Sequence, residues 1–189
     1  IRDYDLKNIK KKLKIPLNLE MAPTREMLKV AIKYKPNYVC IVPEKRAEIT
    51  TEGGLNLKKK QKLLKKIIKK LKKYKIRVAL FIEPKISDIK LSKKLGAECV
   101  ELHTGKYCNL FKAKKNTETA FLNLKKAAIY GEKIGLQIHA GHGLTYKSAF
   151  KISKIINISE FNIGHFIIAE SIFIGLKKTI IKFKKIINK

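Results

Sequence analysis

The stretch "CVELHTG", residues 99–105, alternates apolar and polar side chains and then runs into small residues. Val100 and Leu102 share one face of a strand, because successive side chains in a strand point to opposite faces. Glu101 and His103 share the other face. A parallel sheet covered by helices on both sides has strands that are almost continuously apolar. A carboxylate and an imidazole on one face therefore favour a barrel, whose inner face opens into a functional site.

The same alternation occurs in two other strand-like runs. In "LNLEMA" (17–22), the polar pair Asn18 and Glu20 opposes three apolar side chains. In "QIH" (137–139), both polar side chains lie opposite the isoleucine. Three runs with one polar face each indicate that this face is shared across the sheet.

Six such runs alternate along the chain with segments of helical spacing. The strand-like runs are 16–22, 38–43, 77–83, 99–105, 136–141 and 161–165. The helical segments are 24–35, 57–75, 86–95, 117–133, 146–156 and 167–189, with a further one, "YDLKNIKKKLK", before the first strand. This order predicts parallel βαβ units in a single domain over residues 1–189. We expect an α/β fold of the TIM-type (β/α)8 barrel, with about six strands present, so that two more strands would complete the barrel. An open doubly wound sheet is the alternative, although no GxGxxG motif follows the first strand.

The net charge of +29 and the pI of about 10.1 raise the question of an anionic partner. In "LKKKQKLLKKIIKKLKKYK" (57–75) the leucines and isoleucines recur at helical spacing, so the lysines fill the opposite, solvated face. Lysine enrichment also runs through nearly every other helix, whereas a dedicated nucleic-acid site concentrates charge with arginines or aromatic residues. We therefore expect no nucleic-acid partner, and salt-dependent DNA or RNA binding would revive that alternative. No apolar run reaches the ~18 residues of a membrane span, which predicts no membrane partner.

The three cysteines, Cys40, Cys99 and Cys108, show no CxxC or other metal-ligand spacing. An odd and sparse set of cysteines predicts a reducing compartment, and hence the cytoplasm. Cys40 lies in an apolar strand-like run, which predicts a core residue.

Histidines and carboxylates cluster where the predicted strands end. The set comprises His103, His139, His142, His165, Glu20, Glu44, Glu83 and Glu101. Active sites of α/β barrels lie at the carboxyl ends of the strands. The position of all four histidines there predicts an active site, although any one of them could be structural. The role of His139 stays open.

Two glycine turns at the last strands predict a phosphate site. Gly141-His142-Gly143 and Gly164-His165 each lead into a helix, whose free N–H groups and positive dipole end attract anions. "TTEGGL" (50–55) is a weaker candidate. A metal-dependent barrel hydrolase is the rival interpretation, but the chain has no HxH pair. Proton transfer suits an imidazole near neutral pH.

Several of these motifs together resemble the pyridoxine 5'-phosphate synthase family of vitamin B6 biosynthesis. The matching runs, in the family's order from about residue 3 to the end, are "LNLEMAPTREML", "CIVPEKRAEITTEGGL", "VALFIEP", "ELHTG", "HAGHGLTY" and "FNIGHFIIAESIFIGL". The resemblance implies an eight-stranded barrel that commonly assembles as an octamer. It also implies condensation of 3-amino-2-oxopropyl phosphate with 1-deoxy-D-xylulose 5-phosphate, without a metal or organic cofactor. The products are pyridoxine 5'-phosphate, phosphate and water.

The resemblance also implies roles for particular residues. By motif, Glu20 is similar to a catalytic proton acceptor, His142 to a proton donor and Glu101 to a transition-state stabiliser. The residues that resemble substrate contacts are Thr50 for the xylulose phosphate and Gly143, Gly164 and His165 for the aminoketone phosphate.

The family begins with a strand, a helix and a second strand that these residues do not include, and that segment carries a further catalytic His and Arg. We therefore expect a fragment or the product of a decayed gene. A barrel short of two strands exposes sheet edges, and we expect the 189-residue chain to be inactive alone. Product formation by this chain at a wild-type-like rate would contradict that expectation.

Overall fold

A computed structural model describes residues 2–43 and 53–187. Its described residues form six parallel strands that alternate with helices. The strands are β1 (Asn18–Met21), β2 (Tyr38–Ile41), β3 (Arg77–Ile82), β4 (Cys99–His103), β5 (Gln137–Gly141) and β6 (Glu160–Asn162). The helices are α1 (Asp3–Lys12), α2 (Arg25–Tyr34), α3 (Gln61–Lys73), α4 (Ile86–Leu95), α5 (Gly105–Lys112), α6 (Glu118–Lys133), α7 (Tyr146–Ile152), α8 (His165–Ile174) and α9 (Leu176–Ile187).

The strands lie side by side in chain order, each parallel to the next. The sheet curls as part of a barrel, and β1 and β6 form its two edges among the described residues. Every predicted strand is present, and the predicted α/β barrel architecture with about six strands is confirmed.

Two separate cores lie on the two faces of the sheet. The larger one packs the helices against the outward-facing strand residues, such as Val39, Leu80 and Ile138. The smaller one lies on the inner face and consists of Cys40, Ala79, Phe81 and Cys99. The inner face thus carries a small apolar cluster next to its polar side chains.

The amphipathic character of α3 is confirmed. Leu64, Ile67, Ile68 and Leu71 are buried against the sheet, while the lysines between them are solvent-exposed. The lysine excess of this helix is therefore a solvated face, as its spacing predicts.

Truncation of a buried α3 leucine should destabilise the protein strongly. Leu71 has no exposed surface, so Leu71→Ala removes buried contacts and leaves a cavity, and we expect a loss of about 2–5 kcal/mol in unfolding free energy. Leu63 on the same helix is 37% exposed, and Leu63→Ala should cost about 0.5 kcal/mol or less. Urea denaturation of both variants measures the difference, and equal losses would contradict this packing.

Two helix predictions need correction. The segment predicted as one helix from 167 to the end is two helices, α8 and α9, separated by Gly175, whose φ of 83° is left-handed and ends α8. Helix α5 was not predicted from the sequence. It has 8 residues and begins with a glycine, so it is too short and too weak in propensity to give a periodic signal.

Helix α8 is mostly apolar, with His165, Glu170 and Ser171 as its polar residues, and none of its residues is buried. Ile172 and Phe173 are 80% and 83% exposed. Within the described ranges, no helix is both long and apolar enough to cross a membrane.

Candidate active site

A cleft of about 1550 Å³ opens at the carboxyl ends of the strands. Six of the predicted site residues line it together: Glu20, Glu101, His142, Gly143, Gly164 and His165. Thr50 and Glu44, also singled out from the sequence, lie outside the described residues. Residues from four different segments of the chain thus share one space.

Glu20 lies near the end of β1 and opens into this cleft. The protein atoms around its carboxyl remove enough water to raise its pKa above the ordinary value. A carboxylate with a raised pKa is a stronger proton acceptor near neutral pH.

Glu101 is almost completely buried in the middle of the sheet, with 4% of its surface exposed. Burial is the largest cause that raises the pKa of its carboxyl to about 7; the nearby charge of Glu20 acts in the same direction, and a hydrogen bond from Asn162 opposes the shift. Its Oε2 accepts hydrogen bonds from the Asn162 amide and, at 3.3 Å, from the Cys40 thiol. Cys40 is fully buried, as predicted, but it also contacts a site residue.

His142 lies in a tight turn directly after β5, with a left-handed φ of 82°. Thr104, the residue directly after β4, stabilises this turn: its backbone N–H donates to the Gly141 carbonyl at 2.9 Å. The Thr104 hydroxyl lies 2.8 Å and 2.5 Å from the carbonyl oxygens of Gly141 and His142. Thr104 is completely buried, so the imidazole is presented to the cleft from a fixed backbone.

His103 and Glu83 form a second polar group beside His142. His103 Nδ1 donates to Glu83 Oε1 at 2.9 Å, and the Gly54 N–H donates to the same oxygen at 2.9 Å. These bonds lower the pKa of Glu83. The ring of His103 lies against that of His142, with 4.7 Å between the ring centroids. Glu83 therefore ties Gly54 to the histidine that contacts His142.

His139 lies on the inner face of the sheet, beside Glu101 in the strand register. It is 1% exposed, and burial lowers the pKa of its imidazole. Among the described residues neither ring nitrogen has a hydrogen-bond partner, although Glu160 Oε1 lies 3.6 Å from Nδ1. His139 is not among the residues that line the cleft.

The far side of the cleft carries exposed glycines and lysines. Gly164 and His165, at the start of α8, are exposed there, together with Gly143. Four exposed lysines line the same cleft: Lys112, Lys114, Lys115 and Lys147. Free N–H groups at a helix start and nearby ammonium groups both attract phosphate.

Two parts of the site were not predicted from the sequence: Asn162, and helix α5, which places Lys112 in the cleft. Asn162 is in the three-residue strand β6, and its hydrogen bond to Glu101 on β4 passes over the intervening strand β5. Its place at a strand end was a signal that could have found it. Within the described ranges, no group of three or more His, Cys, Asp or Glu side chains could hold a metal ion.

Comparison with known proteins identifies the family of the chain. Residues 1–189 match the family model of pyridoxal phosphate biosynthesis protein PdxJ. Pyridoxine 5'-phosphate synthase of Pelagibacter ubique (strain HTCC1062) is 53% identical over 189 residues, which are 100% of this chain and 79% of that protein. The synthase of Ehrlichia chaffeensis (strain ATCC CRL-10679 / Arkansas) is 50% identical over 187 residues, covering 99% of this chain and 76% of the relative.

Among solved structures, the crystal structure of citrate synthase SbnG has a TM-score of 0.56 with 12% identity, covering 97% of this chain and 77% of that one. At this identity the likeness concerns the fold alone. The assignment of the chain to a family rests on the family model and on these two relatives. The chain belongs to the PdxJ family of pyridoxal phosphate biosynthesis proteins, enzymes of vitamin B6 biosynthesis whose relatives are named pyridoxine 5'-phosphate synthase.

Proposed function

We propose that the protein condenses 3-amino-2-oxopropyl phosphate with 1-deoxy-D-xylulose 5-phosphate and releases pyridoxine 5'-phosphate, phosphate and water. The observation that carries this proposal is one cleft that two carboxyl groups and an imidazole line together with exposed glycines and lysines. Two phosphorylated substrates need anion sites, and ring closure needs repeated proton transfers over one bound intermediate. The names of the relatives support a pyridoxine 5'-phosphate synthase, and the cleft supplies acid, base and cationic groups that suit the proposed reaction.

In this proposal Glu20 accepts protons and His142 donates them. Glu20 suits the first role because its raised pKa makes it more basic than an exposed carboxylate. His142 suits the second because an imidazole changes its charge near neutral pH and its backbone is held by Thr104. The two residues come from β1 and from the turn after β5, so they approach a bound intermediate from different sides of the sheet.

Glu101 stabilises the transition state from the middle of the sheet. Because its pKa is about 7, a large fraction of the enzyme holds this carboxyl neutral at physiological pH. A neutral carboxyl donates a hydrogen bond to an oxygen on which negative charge develops. Gly143, Gly164 and His165 hold the aminoketone phosphate, and Thr50 contacts the xylulose phosphate.

No metal or organic cofactor takes part in the proposed reaction, and the enzyme acts in the cytoplasm as a homo-octamer. The cytoplasmic assignment rests on three cysteines that are free and buried. These statements, and the inactivity of the 189-residue chain alone, stay predictions.

The direct test supplies both phosphorylated substrates to the protein expressed from its complete coding sequence. We expect pyridoxine 5'-phosphate and inorganic phosphate to appear in equal amounts, and neither to appear when one substrate is omitted. Product is followed by its fluorescence and phosphate by a coupled assay. Consumption of one substrate alone, or phosphate release without a fluorescent product, would contradict the proposed function.

A further inference from the structure

The two oxygens of the Glu101 carboxyl have unequal surroundings. Oε2 accepts from the amide of Asn162 on β6 and from the thiol of Cys40 on β2. Oε1 lies against Gly141 on β5, so closely that a Cβ at Gly141 would stand 2.0 Å from it. One oxygen is thus held by two donors, and the other faces the turn that carries His142.

This asymmetry determines where a proton resides when the carboxyl is neutral. A protonated carboxyl has one hydroxyl oxygen, which donates, and one carbonyl oxygen, which accepts. Two donors directed at Oε2 favour it as the carbonyl oxygen. The proton is then on Oε1, on the side of Gly141.

The neutral form of Glu101 is accessible mainly because the carboxyl is buried, and charged neighbours add to this effect. The charges of Glu20 on β1 and Glu160 on β6 both raise the pKa of Glu101. Burial raises the pKa of the Cys40 thiol, so this neighbour stays neutral and contributes no positive charge. The neighbour on β5 in the strand register is His139, whose pKa is lowered by burial, so it brings little positive charge at neutral pH. Among the described groups, Asn162 and Cys40 provide hydrogen bonds that oppose this shift.

We propose that Asn162 is a positioning residue that makes Oε2 the accepting oxygen of Glu101 and leaves Oε1 to carry the proton toward the Gly141-His142 turn. Glu101 then meets the substrate as a hydrogen-bond donor of fixed direction, in the cleft that His142 also lines. This inference deepens the proposed function, since it assigns the direction in which its transition-state stabiliser acts.

The direction of a pKa change separates this arrangement from its opposite. If Asn162 donates to Oε2, it stabilises the carboxylate, and its removal raises the pKa of Glu101. If the amide were turned so that its oxygen accepted from Oε2–H, it would stabilise the neutral acid, and its removal would lower that pKa.

The test is a carbon-13 NMR titration of protein labelled at the glutamate carboxyl carbons, with Glu101→Gln to identify the signal. We expect a midpoint at about 7 in the wild type and a rise of roughly one pH unit in Asn162→Leu, because a hydrogen bond to a charged group is lost. Cys40→Ala should raise the midpoint less. Asn18→Leu adds similar apolar bulk in the same cleft without removing a bond to Glu101, and should leave the midpoint in place.

A lowered or unchanged midpoint in folded Asn162→Leu overturns the proposal, and Asn162→Ser replaces it if the leucine variant does not fold. Turnover supplies the second measurement. We expect kcat to fall at least about tenfold in Asn162→Leu, with the alkaline limb of the pH profile moved upward by the shift seen in the titration. The titration needs no substrate, so it tests the carboxyl geometry independently of activity. A protein without turnover would refute the proposed function, while the titration would still decide the role of Asn162.

Discussion

Glu20→Gln and His142→Gln are each expected to slow pyridoxine 5'-phosphate formation by about 10²–10⁴-fold, which is the usual contribution of a positioned acid or base. Glutamine keeps the size and much of the polarity of either side chain but cannot exchange a proton near neutral pH. Both residues line the cleft, and neither has a main-chain role that the amide would disturb. Steady-state assays with saturating substrates should show the loss in kcat more than in KM.

The matched control for Glu20 is Glu26→Gln, an exposed carboxylate in the first turn of α2 that lies outside the cleft. It removes the same charge from the protein and should leave kcat unchanged. Ring closure at the wild-type rate in both Glu20→Gln and His142→Gln would refute the proton-transfer roles. A loss confined to KM would instead place these residues in substrate binding alone.

Gly141→Ala should destroy the site although it adds a single methyl group. The new Cβ would stand 2.0 Å from Glu101 Oε1 and 3.1 Å from the Asn162 Cβ, so the buried carboxyl must move. That movement breaks its bonds with Cys40 and Asn162 and leaves polar groups buried without partners. We expect a loss of about 1–3 kcal/mol in unfolding free energy and a fall of at least about 100-fold in turnover.

Gly164→Ala is the matched control for stability, because nothing lies within 4 Å of a Cβ there. Its unfolding free energy should match the wild type within about 0.5 kcal/mol. Thermal unfolding of the two variants, together with the glutamate carbon-13 spectrum, measures the contrast. A Gly141→Ala protein with wild-type stability and an unmoved Glu101 signal would show that the carboxyl is not held where the structure has it.

The parts of the site that the sequence predicted are those set by local alternation. Glu20 and Glu101 were placed on an inner face because the apolar residues beside them fall on the opposite face of the same strand. Gly164 and His165 were placed at a helix start because a glycine turn separates a strand from an apolar helical run. Such signals need only a few neighbouring residues.

What the sequence could not show depends on register between distant strands. Gly141 makes room for Glu101 only because β5 pairs with β4 with His103 opposite Gly141. Asn162 reaches the same carboxyl because β6 follows β5 with Gly141 opposite Asn162. No local pattern encodes these offsets. Helix α5, which adds Lys112 to the cleft, was missed for a different reason: with 8 residues it is too short to give a periodic signal.

The left-handed backbone of His142 has an evolutionary consequence. A non-glycine residue in this conformation gives up about 1 kcal/mol relative to glycine, because its Cβ approaches its own carbonyl oxygen. Random change at this position toward glycine would therefore improve folding while it removes the imidazole. With the proposed proton-donor role of His142, selection for stability and selection for catalysis act in opposite directions at this position. A lineage that no longer needs the vitamin should lose this histidine early, long before the strands that frame it begin to change.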